Sequence, residues 1–304
     1  MPVAWRDGHF VETGDLKINV ADYGFARGVT VFELTRAYGG VPFRFDDHLA
    51  RFMRGAEILG IPLPVPAAEI PSIVGALTAK NSYAHSCVKF YLTAGECAAA
   101  GTFGFRDASG FTPHFMMIED GFSSRHPDAP KGGLDLYRRG IALKTVPFAR
   151  QIPEVKTVLY APGFLAARAL KGTDYDEILY VSPDGFITEA TISNFFCVID
   201  GTLCTPARGM LEGVTRKVVL ELAQSLGIPA AEKDLAPADL SRATEAFITG
   251  SLIEMMPVRK VDETPYKTTV DGPVYSALRK AFTACIGESG ARASVHDARQ
   301  IHHA

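Results

Sequence analysis

Residues 153–170 of the chain read PEVKTVLYAPGFLAARAL and include Lys156; residues 171–206 continue KGTDYDEILYVSPDGFITEATISNFFCVIDGTLCTP, and residues 209–223 read GMLEGVTRKVVLELA. Lys156 is followed by Thr, Val, Leu and Tyr, so we expect its ammonium in a largely apolar pocket. Desolvation disfavours the charged form of a lysine and leaves its amine available as a nucleophile. The stretch therefore predicts a reactive lysine.

Two further features follow this lysine. Glu189 stands in a strand-like segment, residues 186–198, and Gly213-Val214-Thr215 opens a helix. The N-terminal amides of such a helix and the threonine hydroxyl suit a bound phosphate. An amine nucleophile, a carboxylate and an anion site together match pyridoxal 5'-phosphate, whose aldehyde, ring nitrogen and phosphate need these three groups. The sequence therefore predicts this cofactor.

Three motifs carry a resemblance to a known family. They are TEATISNFF at 188–196, LEGVTR at 211–216 and GSLIEMMPVRKVD at 250–262. In this order they resemble the fold type IV pyridoxal-phosphate enzymes, which include branched-chain and D-amino acid aminotransferases, (R)-amine transaminases and aminodeoxychorismate lyases. The resemblance covers residues 5–261 and implies an α+β fold of two domains. The small N-terminal domain is α/β, the larger C-terminal domain has a barrel-like β-sheet core, and the active site lies at the domain interface.

The chain also shows where these domains are expected to end. We predict the small domain at residues 1–119, an interdomain linker loop at 120–130, the large cofactor-binding domain at 131–286 and a mobile tail at 287–304. The linker is marked by its serine and proline content. The resemblance further implies at least a homodimer with a shared active site.

Composition limits the classes of function. With 304 residues, 47% of them hydrophobic, the chain can bury a sizeable core. A net charge of -3 leaves no basic footprint, so we expect no nucleic-acid partner. The five cysteines show no metal-ligand spacing, so we expect no metal and reduced thiols in a cytoplasmic protein. No apolar run approaches the ~20 residues of a membrane span, so we expect no membrane partner.

The resemblance also assigns cofactor and catalytic residues. Lys156 is the catalytic lysine that binds the cofactor, and Glu189 is the partner of the ring nitrogen. Arg51 matches the arginine that contacts the cofactor phosphate, although its spacing on a predicted helix also fits a surface arginine. Ser251 matches a threonine that offers its hydroxyl and amide to the phosphate.

Substrate binding is expected from three cations and one apolar residue. Arg27 lies in a loop that in relatives reaches the neighbouring subunit's pocket. Lys89 lies near the position of an arginine in the branched-chain aminotransferases, and Arg36 matches another arginine of those enzymes. Each has an alternative: Arg27 can simply be solvated, Lys89 can face outward from its strand, and Arg36 can form a structural ion pair. Leu252 replaces a small residue where branched-chain enzymes seat the substrate carboxylate, and this change narrows the pocket.

These cations favour an α-amino acid as the donor and an α-keto acid as the acceptor, in a ping-pong transamination. We expect D-amino acids, or a broad range of amino acids, to be the donors. Four alternatives stay open: a branched-chain L-amino acid aminotransferase, an (R)-amine transaminase, an aminodeoxychorismate lyase and a non-catalytic carrier of the cofactor.

Overall fold

The computed structural model describes residues 1–97, 110–122, 134–266 and 270–300. The chain divides into two compact units. The first comprises Met1–Arg125, Val155–Leu159 and Ser289–Ala304, and the second comprises His126–Glu154 and Tyr160–Glu288. Residues 123–130 of the predicted linker and 301–304 of the predicted tail lie outside the described residues.

The first unit is built on a six-stranded antiparallel sheet with strand order β2-β1-β6-β5-β3-β4. The first hairpin turns at Asp7-Gly8, as the sequence predicts. The elements of this unit are β1 Val3–Arg6, β2 His9–Glu12, α1 Tyr23–Arg27, β3 Thr30–Tyr38, β4 Val41–Pro42, α2 Phe45–Ile58, α3 Ile70–Asn81, β5 His85–Cys97 and β6 Phe111–Gly121.

The two faces of this sheet differ, because side chains alternate along each strand. One face is buried: Phe90 and Phe115 pack against Phe52 of α2, with ring centroids 5.9 and 5.6 Å from it. We call the opposite face the open face. Its central residues are Phe32, Leu34, Arg36, Lys89, Tyr91, Ile118 and Asp120. Their side chains are partly exposed, except for the buried Arg36.

Residues 155–159 belong to the first unit, although the predicted domain boundaries place them in the large domain. Val31 forms an antiparallel bridge with Thr157, and the Phe32 N–H donates to the Lys156 carbonyl at 2.9 Å. Strand β4 pairs only with the far end of β3, so this part of the β3 edge is left for residues 155–159. Lys156 is thereby fixed against the first sheet.

The second unit contains a nine-stranded sheet in which β10, β13, β14, β7, β8 and β9 follow one another and β9 pairs back to β10. These six strands close a barrel, which confirms the predicted α+β fold with a barrel-like core. The strands are β7 Ile141–Pro147, β8 Glu177–Val181, β9 Ile187–Ala190, β10 Asn194–Ile199, β11 Thr202–Pro206, β12 Ala230–Lys233, β13 Ala243–Gly250, β14 Glu254–Val261 and β15 Thr264–Pro265. The helices are α4 Leu134–Arg139, α5 Ala161–Ala169, α6 Val214–Ser225 and α7 Pro273–Gln300.

Two elements differ from the sequence prediction. The single strand expected over residues 186–198 is a tight hairpin, because the Ala190 N–H donates to the Ser193 carbonyl at 2.7 Å and β10 turns back on β9. The last helix, α7, continues past Ile286, where the large domain is predicted to end. A glycine such as Gly287 weakens a helix by only about 1 kcal/mol relative to alanine.

Neither a membrane helix nor a metal site is found in the described parts of the chain. No helix there is both long and apolar enough to cross a bilayer. No group of three or more His, Cys, Asp or Glu side chains there has the arrangement of a metal site.

Candidate active site

Lys156 lies on an aromatic surface of the first unit. Its Nζ is 4.5 Å from the centroid of the Phe32 ring, a cation–π distance. Phe32 in turn stacks on Tyr91, with centroids 6.0 Å apart and an interplanar angle of 15°. The neighbours of Lys156 in the chain, Val155 and Thr157, are both buried. The amine therefore projects over the open face from a fixed backbone.

Arg51 is held by a carboxylate that sequence reasoning missed. Its Nε donates to Glu33 Oε2 at 2.8 Å and its Nη2 to Oε1 at 2.7 Å, and both side chains are buried. Burial by itself raises the pKa of Glu33, but Arg51 and His48 outweigh burial and lower it, so the carboxylate stays ionised. The sequence signal was an acidic residue between Phe32 and Leu34 in a predicted strand.

The neighbouring His48 stays neutral. Its Nδ1 lies 3.2 Å from Glu33 Oε1. Burial lowers its pKa, and the positive charges of Arg51 and Lys156 lower it further, against the attraction of Glu33. The buried charges of this site are thus one carboxylate and one guanidinium, and a neutral imidazole lies beside them.

The three candidate substrate cations lie in different surroundings. Lys89 and Arg36 are on the open face, whereas Arg27 is the exposed last residue of α1, where its Nη1 donates to the Ala26 carbonyl at 3.0 Å. The Arg36 guanidinium is buried 5.1 Å from the ring centroid of Tyr38. Lys89 forms an ion pair with Asp120, a partner that sequence reasoning did not identify. The structure therefore brings two of the three cations onto the sheet face that carries Lys156.

Glu189 is the centre of a hydrogen-bond network in the second unit. Its Oε1 accepts from Arg150 Nη1 at 3.1 Å, and its Oε2 accepts from the Leu211 N–H at 3.2 Å. The same Arg150 nitrogen also reaches the Pro153 carbonyl at 3.4 Å. Arg150 lies outside regular structure and was not singled out from the sequence. Its charge stabilises the buried carboxylate.

Asn194 ties this carboxylate to the start of α6. It is the cross-strand neighbour of Glu189, and its Nδ2 donates to the Leu211 carbonyl at 2.7 Å. Gly213 follows in the same loop, and a Cβ there would lie 1.9 Å from Asn194 Oδ1. Only glycine fits at this position without displacing the asparagine. Glu189, Leu211 and the helix start therefore form one rigid network.

The start of α6 can bind an anion. Gly213 is its N-cap residue, and no side chain of the described residues caps the helix. Val214 and Thr215 in its first turn are buried, so their amides lie in a low-dielectric environment at the positive end of the helix. Arg216 fixes the first turn of the helix to the end of β11, since its Nη2 donates to the Pro206 carbonyl at 2.9 Å.

The turn between β13 and β14 carries Ser251 and Leu252. Its backbone is held at two points: Tyr137 Oη donates to the Ile253 carbonyl at 2.9 Å, and Tyr275 Oη donates to the Met255 carbonyl at 3.0 Å. Just before the turn, the buried Thr249 hydroxyl finds no hydrogen-bond partner among the described residues. A rigid turn that follows an unsatisfied hydroxyl suits a polar ligand.

Each unit, taken by itself, contains residues that suit a group of pyridoxal phosphate. The helix start without a capping side chain and the unsatisfied Thr249 hydroxyl suit its phosphate. The buried Glu189 carboxylate, which accepts a hydrogen bond from Arg150, suits the protonated ring nitrogen of the cofactor. The amine of Lys156 suits its aldehyde.

Comparisons with known proteins agree with this fit. The family model for amino-transferase class IV matches residues 30–261. The chain is 30% identical to a putative branched-chain-amino-acid aminotransferase of Methanocaldococcus jannaschii, over 91% of this chain and 94% of the relative. The match thus extends over nearly the whole of both chains.

Solved structures with different activities share the fold. A branched-chain amino acid aminotransferase from T.th., crystallised with pyridoxamine 5'-phosphate, superposes with a TM-score of 0.83 at 26% identity, over 94% of each chain. A 4-amino-4-deoxychorismate lyase from Pseudomonas aeruginosa superposes with a TM-score of 0.76 at 25% identity, over 91% of this chain and 97% of the other. The fold alone therefore does not separate transfer from elimination.

Proposed function

This chain belongs to the class IV aminotransferase family and is a pyridoxal-phosphate-dependent aminotransferase, and we propose that it moves an amino group between an α-amino acid and an α-keto acid, with D-amino acids or a broad range of amino acids as donors. The observation that carries this proposal is the position of the Lys156 amine, over the same sheet face as Lys89 and Arg36. In this proposal Arg27 of a neighbouring subunit binds the substrate α-carboxylate, and the cations of this face meet the substrate side chain.

Lys156 is the catalytic residue of this proposal. When bound, pyridoxal phosphate supplies the electron sink for the pair that remains when the substrate loses its α-proton. Lys156 Nζ would hold the cofactor at its aldehyde and, as a free amine, would be the base that accepts the proton from the substrate α-carbon and the acid that gives it to the cofactor. Phe32 supports this role by position, because its ring centroid lies 4.5 Å from Nζ and the ring places the amine over the open face.

The remaining side chains hold the cofactor. Glu189 keeps the ring nitrogen protonated, and its hydrogen bonds from Arg150 and Leu211 support its ionised form. Three groups bind the phosphate: Arg51, the first residues of α6, and Ser251. Glu33 orients Arg51 through two hydrogen bonds. Arg27 and Leu252 contribute to substrate selection in this proposal, Arg27 from a neighbouring subunit.

A branched-chain L-amino acid aminotransferase is the second candidate. It is supported by the names of the relatives and by the apolar side chains of Leu34 and Ile118 on the open face. These residues can contact a branched side chain as readily as the side chain of a D-amino acid. A homodimer and a cytoplasmic location complete the proposal; exposed Phe25, Phe164 and Leu165 support assembly with a second subunit.

The test is a half-reaction with the purified protein. Its cofactor absorbance is recorded before and after separate additions of D-alanine, D-glutamate, L-leucine and L-glutamate. We expect a donor to convert the spectrum to that of the amine form of the cofactor, and the faster enantiomer identifies the preferred hand. Faster conversion by L-leucine than by either D-amino acid would support the second candidate.

The lyase alternative needs its own assay. Pyruvate release from aminodeoxychorismate without net amino transfer would contradict the proposal. A bound cofactor whose spectrum no amino acid and no chiral amine changes would instead identify a carrier.

A further inference from the structure

The register of the sheet orders the open face by distance from Lys156. Its amine lies over the first of three cross-strand rows, and same-face rows follow one another at about 7 Å. The rows are Phe32–Tyr91–Met116, then Leu34–Lys89–Ile118, then Arg36–Cys87–Asp120. With its α-carboxylate bound by Arg27 of a neighbouring subunit, as proposed above, a substrate whose α-carbon meets Lys156 Nζ would extend its side chain towards the second row.

The second row contains a cation between two apolar side chains. Lys89 stands between Leu34 and Ile118, and its Nζ donates to a carboxylate oxygen of Asp120 in the next row. The side chains of Lys89 and Asp120 are 25% and 44% exposed, so the pair is accessible from the open face. Burial lowers the pKa of Lys89, but the hydrogen bond and charge of Asp120 outweigh it and raise the pKa, so the lysine stays charged.

Asp120 changes what this lysine can bind. An unpaired ammonium would attract a second carboxylate on a substrate. With Asp120 in contact, that carboxylate would have to displace an ionised partner and approach another negative charge, which disfavours its binding. An apolar side chain meets no such repulsion, and Leu34 and Ile118 offer it contact on both sides.

The third row holds one more cation. Arg36 is buried, with its guanidinium 5.7 Å from the Phe122 ring centroid, and Cys87 separates it from Asp120 in the row. It lies about 7 Å farther from Lys156 than Lys89 does, by the same row spacing. Its place leaves Lys89 as the nearer cation for a short substrate chain.

We propose that Asp120 is a specificity-determining residue that holds Lys89 in an ion pair, so that the enzyme favours substrates with an apolar side chain over substrates with a second carboxylate. This inference rests on the proposed function. It predicts that monocarboxylic keto acids are better amino acceptors than dicarboxylic ones of similar length.

The experiment compares the wild-type holoenzyme with Asp120→Asn, which removes the charge and keeps the shape. Two unreactive probes, glutarate and 4-methylvalerate, are titrated while the cofactor absorbance is followed. We expect Asp120→Asn to bind glutarate about tenfold more tightly, as gain of one charge-assisted hydrogen bond implies, with 4-methylvalerate changed by less than about twofold. The ratio of KM for glutamate to KM for leucine should fall by a similar factor.

Three further variants assign the effect. Adding Lys89→Met to Asp120→Asn should abolish the gain for glutarate, because the ammonium is its cause. Asp120→Ser replaces Asp120→Asn if that variant does not fold. Asp174→Asn is the matched control: it removes a carboxylate from the Lys260–Asp174 pair of the second unit, in which Asp174 is exposed, and should leave both affinities unchanged.

The outcomes separate this inference from the proposed function. Equal glutarate affinity in wild type and Asp120→Asn, or an equal gain for both probes, would overturn the role of Asp120 while transamination persists. A wild-type protein that binds the cofactor but transfers no amino group would overturn the proposed function itself, and this inference with it.

Discussion

Replacing Gly213 with alanine tests the network that joins Glu189 to the start of α6. The backbone of Gly213 has φ -67° and ψ 135°, which alanine adopts without strain. The new Cβ, however, would lie 1.9 Å from Asn194 Oδ1, whereas ordinary contact begins at 3.4 Å. Asn194 must therefore move by more than 1 Å, since the neighbouring backbone is fixed by its own hydrogen bonds.

This movement has a predictable energy. It breaks the 2.7 Å hydrogen bond from Asn194 Nδ2 to the Leu211 carbonyl, and both atoms are in buried surroundings. An unsatisfied buried group costs about 1–3 kcal/mol, so we expect Gly213→Ala to lower the unfolding free energy by about 2–4 kcal/mol. Affinity for pyridoxal phosphate should fall as well, because Leu211 also donates to Glu189.

A double-mutant cycle with Asn194→Ala decides the cause. Unfolding is followed in denaturant by the fluorescence of the single tryptophan and by circular dichroism, and cofactor affinity by titration of the apoprotein. Removing the obstructing side chain should make Gly213→Ala nearly neutral, so the two changes should be less than additive by at least about 1 kcal/mol. Strict additivity, or a Gly213→Ala protein as stable as wild type, would refute the steric argument.

Three more outcomes are expected. Lys156→Ala should retain no cofactor after borohydride reduction, as intact-mass spectrometry would reveal; a residual adduct would identify another lysine. Glu33→Gln should lower the unfolding free energy by about 3–5 kcal/mol, because Arg51 stays charged in a buried site, and a loss below about 1 kcal/mol in denaturant titration would contradict this. Burial lowers the pKa of His114, but hydrogen bonds to Glu96, at 2.8 Å, and to Asp7 outweigh it and raise the pKa. The stabilisation by His114 is therefore fully present below its ordinary pKa of 6.5 and is lost as the pH rises through the raised pKa of the folded protein. The stability difference between wild type and His114→Gln should thus shrink as the pH rises above 6.5, by less than about 1 kcal/mol for a partly exposed pair; a constant difference would contradict the assignment.

The motifs of the sequence predicted the fold through their resemblance to a known family, and local patterns predicted several residues of the candidate site. Lys156, Glu189 and the start of α6 each sit in a motif whose residue order reveals a turn, a strand or a helix cap. These local features depend on neighbours within a few residues. The division into a small unit and a barrel-containing unit was instead implied by the resemblance to a known family.

The partners of these residues could not be predicted in the same way. Arg150 and Glu189 are 39 residues apart in the sequence, and Asp120 and Lys89 are 31 residues apart. Such contacts depend on strand register and on chain crossings, which a single sequence does not specify. The hairpin between β9 and β10 was missed because Thr191 and Ile192 favour strand and the turn has neither glycine nor proline.

The shortest strand pairing of the barrel is the one that contains Glu189. Strands β9 and β10 meet through a single pair of residues, Glu189 and Asn194, whereas β10 and β13 pair along nearly their whole length. The apoprotein should therefore open first at this seam, and amide hydrogen exchange should be fastest there among the barrel strands. On the proposed function, a cofactor held by Glu189 would stabilise this seam, so its binding would raise the unfolding free energy of this unit.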